Sequence, residues 1–405
     1  MNSSQDNGRA FCGSTTNEVR VTTLIAMNAI HPDDVLCLIQ LHCSGSILWM
    51  ANYNSLALHY EAFHFKQSTL WLRMSRSRRT TPDQRLALLR QRLKDLSPDT
   101  MIADLRLALW DESNFVVAQV AKFVREHTLS ELIPDLVSAY LRFLRDGAEC
   151  DKGCRAKLAI VEALMPLDFE EPDFWLAGMK YRQQEPVWNG SIDTAIDVRG
   201  VCAFGLVRSR LVAPSDLLIA LTDLLADSEF VARAHAARAI AAAGLPGCVA
   251  LLRLKASLGD SNSEVSGACF TGLLELDASR HVEFVAAFLQ SHTDAAIEAA
   301  LALGSSRNRE AAMLLLKACQ RCSSDRMEPF WISLGLSRQP EAVEFLISRI
   351  NTASPGAVHA IRALAPIRSY DNIANRVLAA VQSSGSRELA AAHRTEFLPQ
   401  PDAPE

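Results

Sequence analysis

Apolar and polar positions along this chain follow a recurring phrase. An Asp opens a stretch of small and branched apolar residues, breakers close it, and another Asp starts the next stretch. The anchors are Asp111, Asp151, Asp193, Asp227, Asp260 and Asp294, spaced 40, 42, 34, 33 and 34 residues apart. After each of the first five, an apolar or small residue falls four or five positions on: Val116, Ala156, Val198, Val231, Val265. Another falls at thirteen or fourteen: Val124, Leu164, Val207, Ile240, Leu274. Ala203, Ala236, Ala237 and Cys269 fill the stripe between them, as a helix face requires. Gly244-Leu245-Pro246 ends one helix, and Gly259-Asp260-Ser261 begins the next unit. Self-similarity at this period predicts an all-α chain, an α-solenoid of helical pairs in which each unit buries its apolar face against its neighbours.

Outside the phrase the pattern changes. Residues 1–20 are polar and read as a disordered N-terminal tail. Residues 21–100 read as an irregular helical region: Leu36, Ile39, Leu41, Ile47, Leu48 and Trp49 follow neither period 2 nor period 3.6. That region ends in a basic stretch, 73–95, with eight Arg or Lys against Asp83 and Asp95. Pro82 opens a helix inside it through Leu86, Leu88, Leu89 and Leu93. The repeats occupy 101–382. Towards their end the phrase drifts: Leu303-Gly304-Ser305-Ser306-Arg307 recurs as Leu334-Gly335-Leu336-Ser337-Arg338 and again as Ala365-Pro366-Ile367-Arg368. Residues 383–405 turn polar and read as a loose C-terminal tail.

At the Asp phrases the chain resembles HEAT repeats, in which an Asp in the turn is followed six residues later by a basic residue. Asp193 with Val198-Arg199 carries this fully, Asp227 with Arg233 closely, and Asp151 with Lys157 by charge. Asp111, Asp260 and Asp294 have Val117, Ser266 and Ala300 at that offset. Residues 151–305 also resemble an uncharacterised bacterial HEAT-repeat domain family. The resemblance implies antiparallel helix pairs and an inner helix face lined by Arg199, Arg233 and Arg238. It implies no activity. The Asp itself is suited to accept backbone N–H groups at the start of the next helix, and the basic residue is placed to reach an Asp of its own or a neighbouring unit.

Composition narrows the function classes. Hydrophobic residues make up 49% and charged residues 21%, which is an ordered chain. The net charge of −5 argues against nucleic acid as the partner. The apolar run from Val21 to Leu41 is broken by His31, Pro32, Asp33 and Asp34, so no membrane span is expected, and a cytoplasmic location follows. The ten cysteines are scattered. Cys319 and Cys322 form a lone Cys-x-x-Cys, and Cys150 and Cys154 are four apart, so neither pair has the second pair that a zinc site needs. The histidines are dispersed, with no His-Glu dipeptide. No nucleophile elbow, phosphate loop or dinucleotide fingerprint occurs. The expectation is therefore no enzyme, no cofactor and no metal.

The segment least like a plain repeat is Glu171–Gly190, with Phe174, Trp175, Tyr181, Arg182 and Trp188. Aromatic and Arg-rich surfaces concentrate binding energy, while packing at an enlarged junction explains the same rings. The candidate binding residues are Trp175, Tyr181, Arg182, Trp188, Arg199, Arg233 and Arg238, with the six Asp anchors as structural residues. The reading is a protein-binding scaffold. The alternatives are a bilin-lyase-like chromophore-attachment enzyme or chaperone, acting near Cys202, and a helical-repeat nucleic-acid binder.

Overall fold

The computed structural model describes residues 80–93, 98–145, 147–321 and 324–397, all within the compact unit Ala57–Glu405. The expected tail 1–20 and most of the irregular region 21–100, including all of Arg73–Arg79 in its basic stretch, lie outside the described residues. What is described is mostly helical. The first helices are α1 (Pro82–Leu93), α2 (Pro98–Ala108), α3 (Asn114–Glu126) and α4 (Ile133–Arg145), followed by the single turn α5 (Gly147–Cys150) and by α6 (Arg155–Leu164). Next come α7 (Pro172–Lys180), the strands β1 (Gln184–Val187) and β2 (Gly190–Asp193), and α8 (Ile196–Arg208). They are followed by α9 (Pro214–Leu225), α10 (Phe230–Ala243), α11 (Cys248–Leu258) and α12 (Ser263–Ala287). The last helices are α13 (Ala295–Ser305), α14 (Arg309–Cys319), α15 (Ser324–Leu336), α16 (Pro340–Asn351), α17 (Ala357–Leu364), α18 (Ile373–Ser384) and α19 (Arg387–Phe397).

Local chemistry sets the helix ends. Pro172, Pro214 and Pro340 occupy first-turn positions, where the missing N–H costs nothing. Asn262 and Asn308 accept the N–H groups of Glu264 and Ala311. Gly244 closes α10 in the left-handed conformation. Helix α12 is two helices joined without a turn: Asp277 leaves helical geometry at φ −162, ψ 92.

Packing follows alternation. Helices α3, α6, α8, α10, α12, α13, α15, α17 and α19 each pack against the next in that order. Helices α2, α4, α7, α9, α11, α14, α16 and α18 each lean on the member of that row that follows them in sequence. The core is correspondingly continuous, from Leu86 to Leu389, and rich in small residues such as Ala232, Ala236, Ala239, Ala299 and Ala302. Small side chains let helix axes approach closely.

Three boundaries differ from the sequence expectation. Helix α2 crosses the limit set at residue 101 and packs on α3, so the helix pairs start earlier. The C-terminal segment is not wholly loose: α19 buries Leu389 and His393 and packs on α17 and α18. Its apolar face (Leu389, Ala390, His393, Phe397) recurs at helical spacing, which a polar average over 383–405 conceals. Finally, Gln184–Asp193 forms a two-stranded antiparallel hairpin rather than helix, pairing Val187 with Gly190 and Gln184 with Asp193.

Candidate functional site

Four of the six Asp anchors build one kind of turn, and a fifth, Asp151, accepts N–H groups farther along. Asp111, Asp193, Asp227 and Asp260 each accept the N–H two residues on, at Ser113, Ala195, Glu229 and Asn262. Asp151 accepts from Ala156 and Lys157, at 2.9 and 3.0 Å. Asp294 differs: it is exposed, its side chain caps nothing, and it stands after the turnless α12.

Basic residues then link these turns. Arg199 is fully buried; its Nη1 lies 2.7 Å from Asp193 Oδ2 and its Nε 3.2 Å from Asp227 Oδ2. Arg233 grips Asp260 with Nη2 at 2.6 Å and also donates to the Asp227 carbonyl at 2.9 Å. Lys157, also fully buried, lies 3.0 Å from Asp151 Oδ2 and donates to the Phe143 carbonyl. The partners of Asp111 and Asp260 come from upstream: Arg85 at 2.8 Å, 26 residues before Asp111, and Arg233 together with Lys255 for Asp260. The basic stretch thus contributes a structural rung, and its Arg92 pairs with Asp104. Burial alone raises the Asp193 and Asp260 carboxyls. The Ala195 and Gln183 N–H groups and Arg199 outweigh it at Asp193, and Arg233 and Lys255 outweigh it at Asp260, so both sit below the ordinary carboxylate range.

The β1–β2 hairpin is fastened to this ladder at its base. Gln183 donates its N–H to Asp193 Oδ1 at 3.1 Å and its side-chain amide to the Asp151 carbonyl at 2.8 Å. Glu185 Oε1 accepts from Gly153 N–H at 2.6 Å, from Gln183 Nε2 at 2.7 Å and from Thr194 Oγ1 at 2.7 Å. Tyr181 Oη donates to Gln183 Oε1 at 2.7 Å. The loop of the hairpin is Trp188-Asn189, and Trp188 is 99% exposed. Val187 and Ile192 beside it are exposed as well. Next to the hairpin, a groove of about 470 Å³ runs between α7 and α9, with Leu176, Met179, Ile219 and Leu224 as its apolar lining and Arg182, Asp216 and Asp223 among its polar groups.

The predicted binding residues therefore separate. Trp188 is fully exposed, and Arg182 is half exposed while bonded to Asp227 at 2.9 Å. Trp175 is core: it packs edge-on against Phe169 and Phe174 and donates its indole N–H to the Phe169 carbonyl. Tyr181 is half-buried, under the Lys157 ammonium. Arg199 cannot line an open face, because both its carboxylates and its side chain are sealed in. Arg233 is almost as enclosed, whereas Arg238 is exposed and pairs with Glu264 at 2.9 Å. The expected surface arginines are mostly ladder arginines.

Cys202 lies beneath the Gly178 backbone, and burial pushes its thiol well above the ordinary range, so it presents no thiolate. Among the described residues no group of His, Cys, Asp and Glu is arranged to hold a metal ion, and no helix is long and apolar enough to cross a membrane. Compared with known proteins, the chain matches no family model and no curated protein.

Proposed function

We propose that this chain is a non-catalytic protein-binding scaffold: an α-solenoid of HEAT-like helix pairs that holds one non-helical element, the β1–β2 hairpin, in a fixed place for a partner protein. One observation carries the reading. Trp188 stands in solvent at the tip of a hairpin whose base is tied by Gln183, Glu185 and Thr194 to a buried ion network. A large, rigid aromatic group held in place is what interfaces use as an anchor, because little ordering entropy remains to be lost on binding. The succession of helices, each packed on the next, supports the scaffold part. The contact moves from the Arg-bearing helix face to the hairpin because Arg199 is buried. The described cysteines are free thiols, which suits a reducing, cytoplasmic setting.

The test compares wild type with Trp188→Ala in affinity capture from the source cells. The expected result is a protein recovered in stoichiometric amount by wild type and weakened by about tenfold or more in the variant, with an unchanged melting temperature. The same protein recovered equally by both would remove the hairpin from the interface. Repeated capture of nothing by wild type would remove the scaffold.

A further inference from the structure

The motif that ends in Arg307, Arg338 and Arg368 is not absorbed by the hairpin. These residues lie on three turns: α13 to α14, α15 to α16 and α17 to α18. The first two turns share one build. Ser306 Oγ donates to the Leu303 carbonyl at 2.6 Å and accepts from Asn308 N–H, and Ser337 Oγ does the same with Leu334 and Gln339. The Arg between lies in the left-handed region, at φ 52 for Arg307 and φ 55 for Arg338. The turn from α18 to α19 repeats this build with Ser384 and Ser386, and there the central residue is Gly385, at φ 62.

Glycine is the residue this backbone favours, and a Cβ there is strained. Arginine twice holds the position, and among the described residues no ion pair explains it. Among the described residues, no carboxylate pairs with Arg307, Arg338 or Arg368. Glu341 is held by Arg309, while Glu310 and Asp371 are exposed without meeting the three guanidinium groups. The turns are neighbours: Gln339 Nε2 donates to the Arg307 carbonyl at 2.7 Å, and the Arg338 guanidinium lies 5.2 Å from the ring centre of Tyr370, two residues past Arg368. Arg307, Arg368 and Tyr370 are exposed and Arg338 partly so.

We propose that this edge binds an extended acidic peptide of a partner protein, one carboxylate to each arginine. Packed helices lie about 8–10 Å apart, and an extended polyproline II chain, rising about 3.1 Å per residue, covers about 9 Å in three residues and returns every third side chain to the same face. A Glu or Asp at every third position therefore meets successive guanidinium groups, each able to take a carboxylate with two parallel hydrogen bonds. The Arg338 guanidinium lies over the Tyr370 ring, whose face favours the cation there. Nucleic acid is disfavoured because phosphate-driven affinity grows with the number of charges neutralised, and three cations beside Glu310 and Asp371 are few. The inference rests on the protein-binding reading but uses a different surface.

The experiment is fluorescence anisotropy on the full chain with a labelled peptide repeating Glu-Thr-Thr, the same peptide with Lys for Glu, and a single-stranded DNA of equal charge. Wild type is expected to bind the Glu peptide over the other two probes. The double variant Arg307→Gly with Arg338→Gly should weaken that binding by about tenfold or more, with a melting temperature equal or higher because Gly suits the turn. Arg368→Ala, at a right-handed position (φ −56), should weaken it without touching either strained turn. Absence of binding by wild type, equal binding by the double variant, or tighter binding of the DNA would each overturn the proposal. If wild type ignores the Glu peptide while Trp188-dependent capture persists, this edge alone falls.

Discussion

Two stretches of one helix row are joined by different chemistry. From Asp111 to Asp260 the turns are linked by buried ions, with Lys157 and Arg199 wholly enclosed. From Leu303 to Ser386 the turns are closed by the hydroxyls of Ser306, Ser337 and Ser384, and no buried carboxylate falls there among the described residues. Ion pairs move to open helix faces, at Arg309–Glu341, Arg362–Glu328 and Arg376–Glu344. The glycines divide the same way. A Cβ at Gly200 would meet the His235 ring and one at Gly267 the Glu298 carboxylate, whereas at Gly304 and Gly335 it would meet the backbone carbonyls of Ser333 and Ala363. The first stretch fixes its register by charge and the second by shape. Charge responds to pH and to single deletions; shape responds to added volume.

Acid should separate the two most widely. Asp193, Asp260 and Glu185 are held below the ordinary carboxylate range, with hydrogen bonds and cations outweighing the burial that raises them. A lowered carboxyl contributes stability that is complete above its unfolded value, about 4, and is lost as pH falls through the folded value. Glu341 is lowered too, by its own backbone N–H and then Arg309, but in an ion pair that is partly open to solvent. Hydrogen exchange below about pH 4 should therefore deprotect residues 151–262 before 303–337. Simultaneous loss in both stretches would show that the ladder does not govern the first.

A single deletion comes next. Asp193→Ala leaves Arg199 enclosed with one carboxylate fewer and strips the N–H groups of Ala195 and Gln183 of their acceptor. Breaking a buried pair from one side costs about 3–5 kcal/mol. Arg309→Ala, in the open pair with Glu341, should barely move the melt. A small effect of Asp193→Ala in chemical denaturation would mean that water reaches Arg199.

The Asp turns are legible in the sequence because their chemistry is local: the carboxylate and the N–H it accepts are two residues apart at Asp111, Asp193, Asp227 and Asp260. The reach of the phrase's basic residue to an Asp of its own or the next unit is legible too: Arg199 meets Asp193 and Asp227, and Arg233 meets Asp260, 27 residues on. An offset of six within the phrase finds Lys157, Arg199 and Arg233 but misses Arg85 and Lys255, whose pairings are set by helix packing. The same limit puts Arg199 on a surface, since nothing local tells an enclosed Arg from an open one. The hairpin does leave a mark: Asn189-Gly190 between Val187 and Ile192 is turn chemistry flanked by apolar residues. The surrounding helical pattern and Pro186 mask it. Trp188 and Trp175 look alike in sequence, and only the turn separates an exposed ring from a packed one.

The smallest effect bears most closely on shape. Gly335→Ala and Gly200→Ala are the same change at matched places, each on a helix of the packed row. Alanine favours a helix interior by about 1 kcal/mol over glycine, so propensity alone stabilises both. At Gly200 the new methyl meets the His235 ring, which is a quarter exposed and can swing outward, giving up its contact with Asp197. Propensity and the lost contact then nearly offset. At Gly335 the methyl meets the Ala363 carbonyl, which belongs to α17 and cannot rotate aside without moving the helix. Overpacking of this kind costs about 1–3 kcal/mol and exceeds the propensity gain. Thermal melts should therefore show Gly335→Ala below wild type and Gly200→Ala close to it. Equal melts for the two variants would mean that α15 and α17 slide apart freely, and the second stretch would then lack the close backbone contact that sets its register.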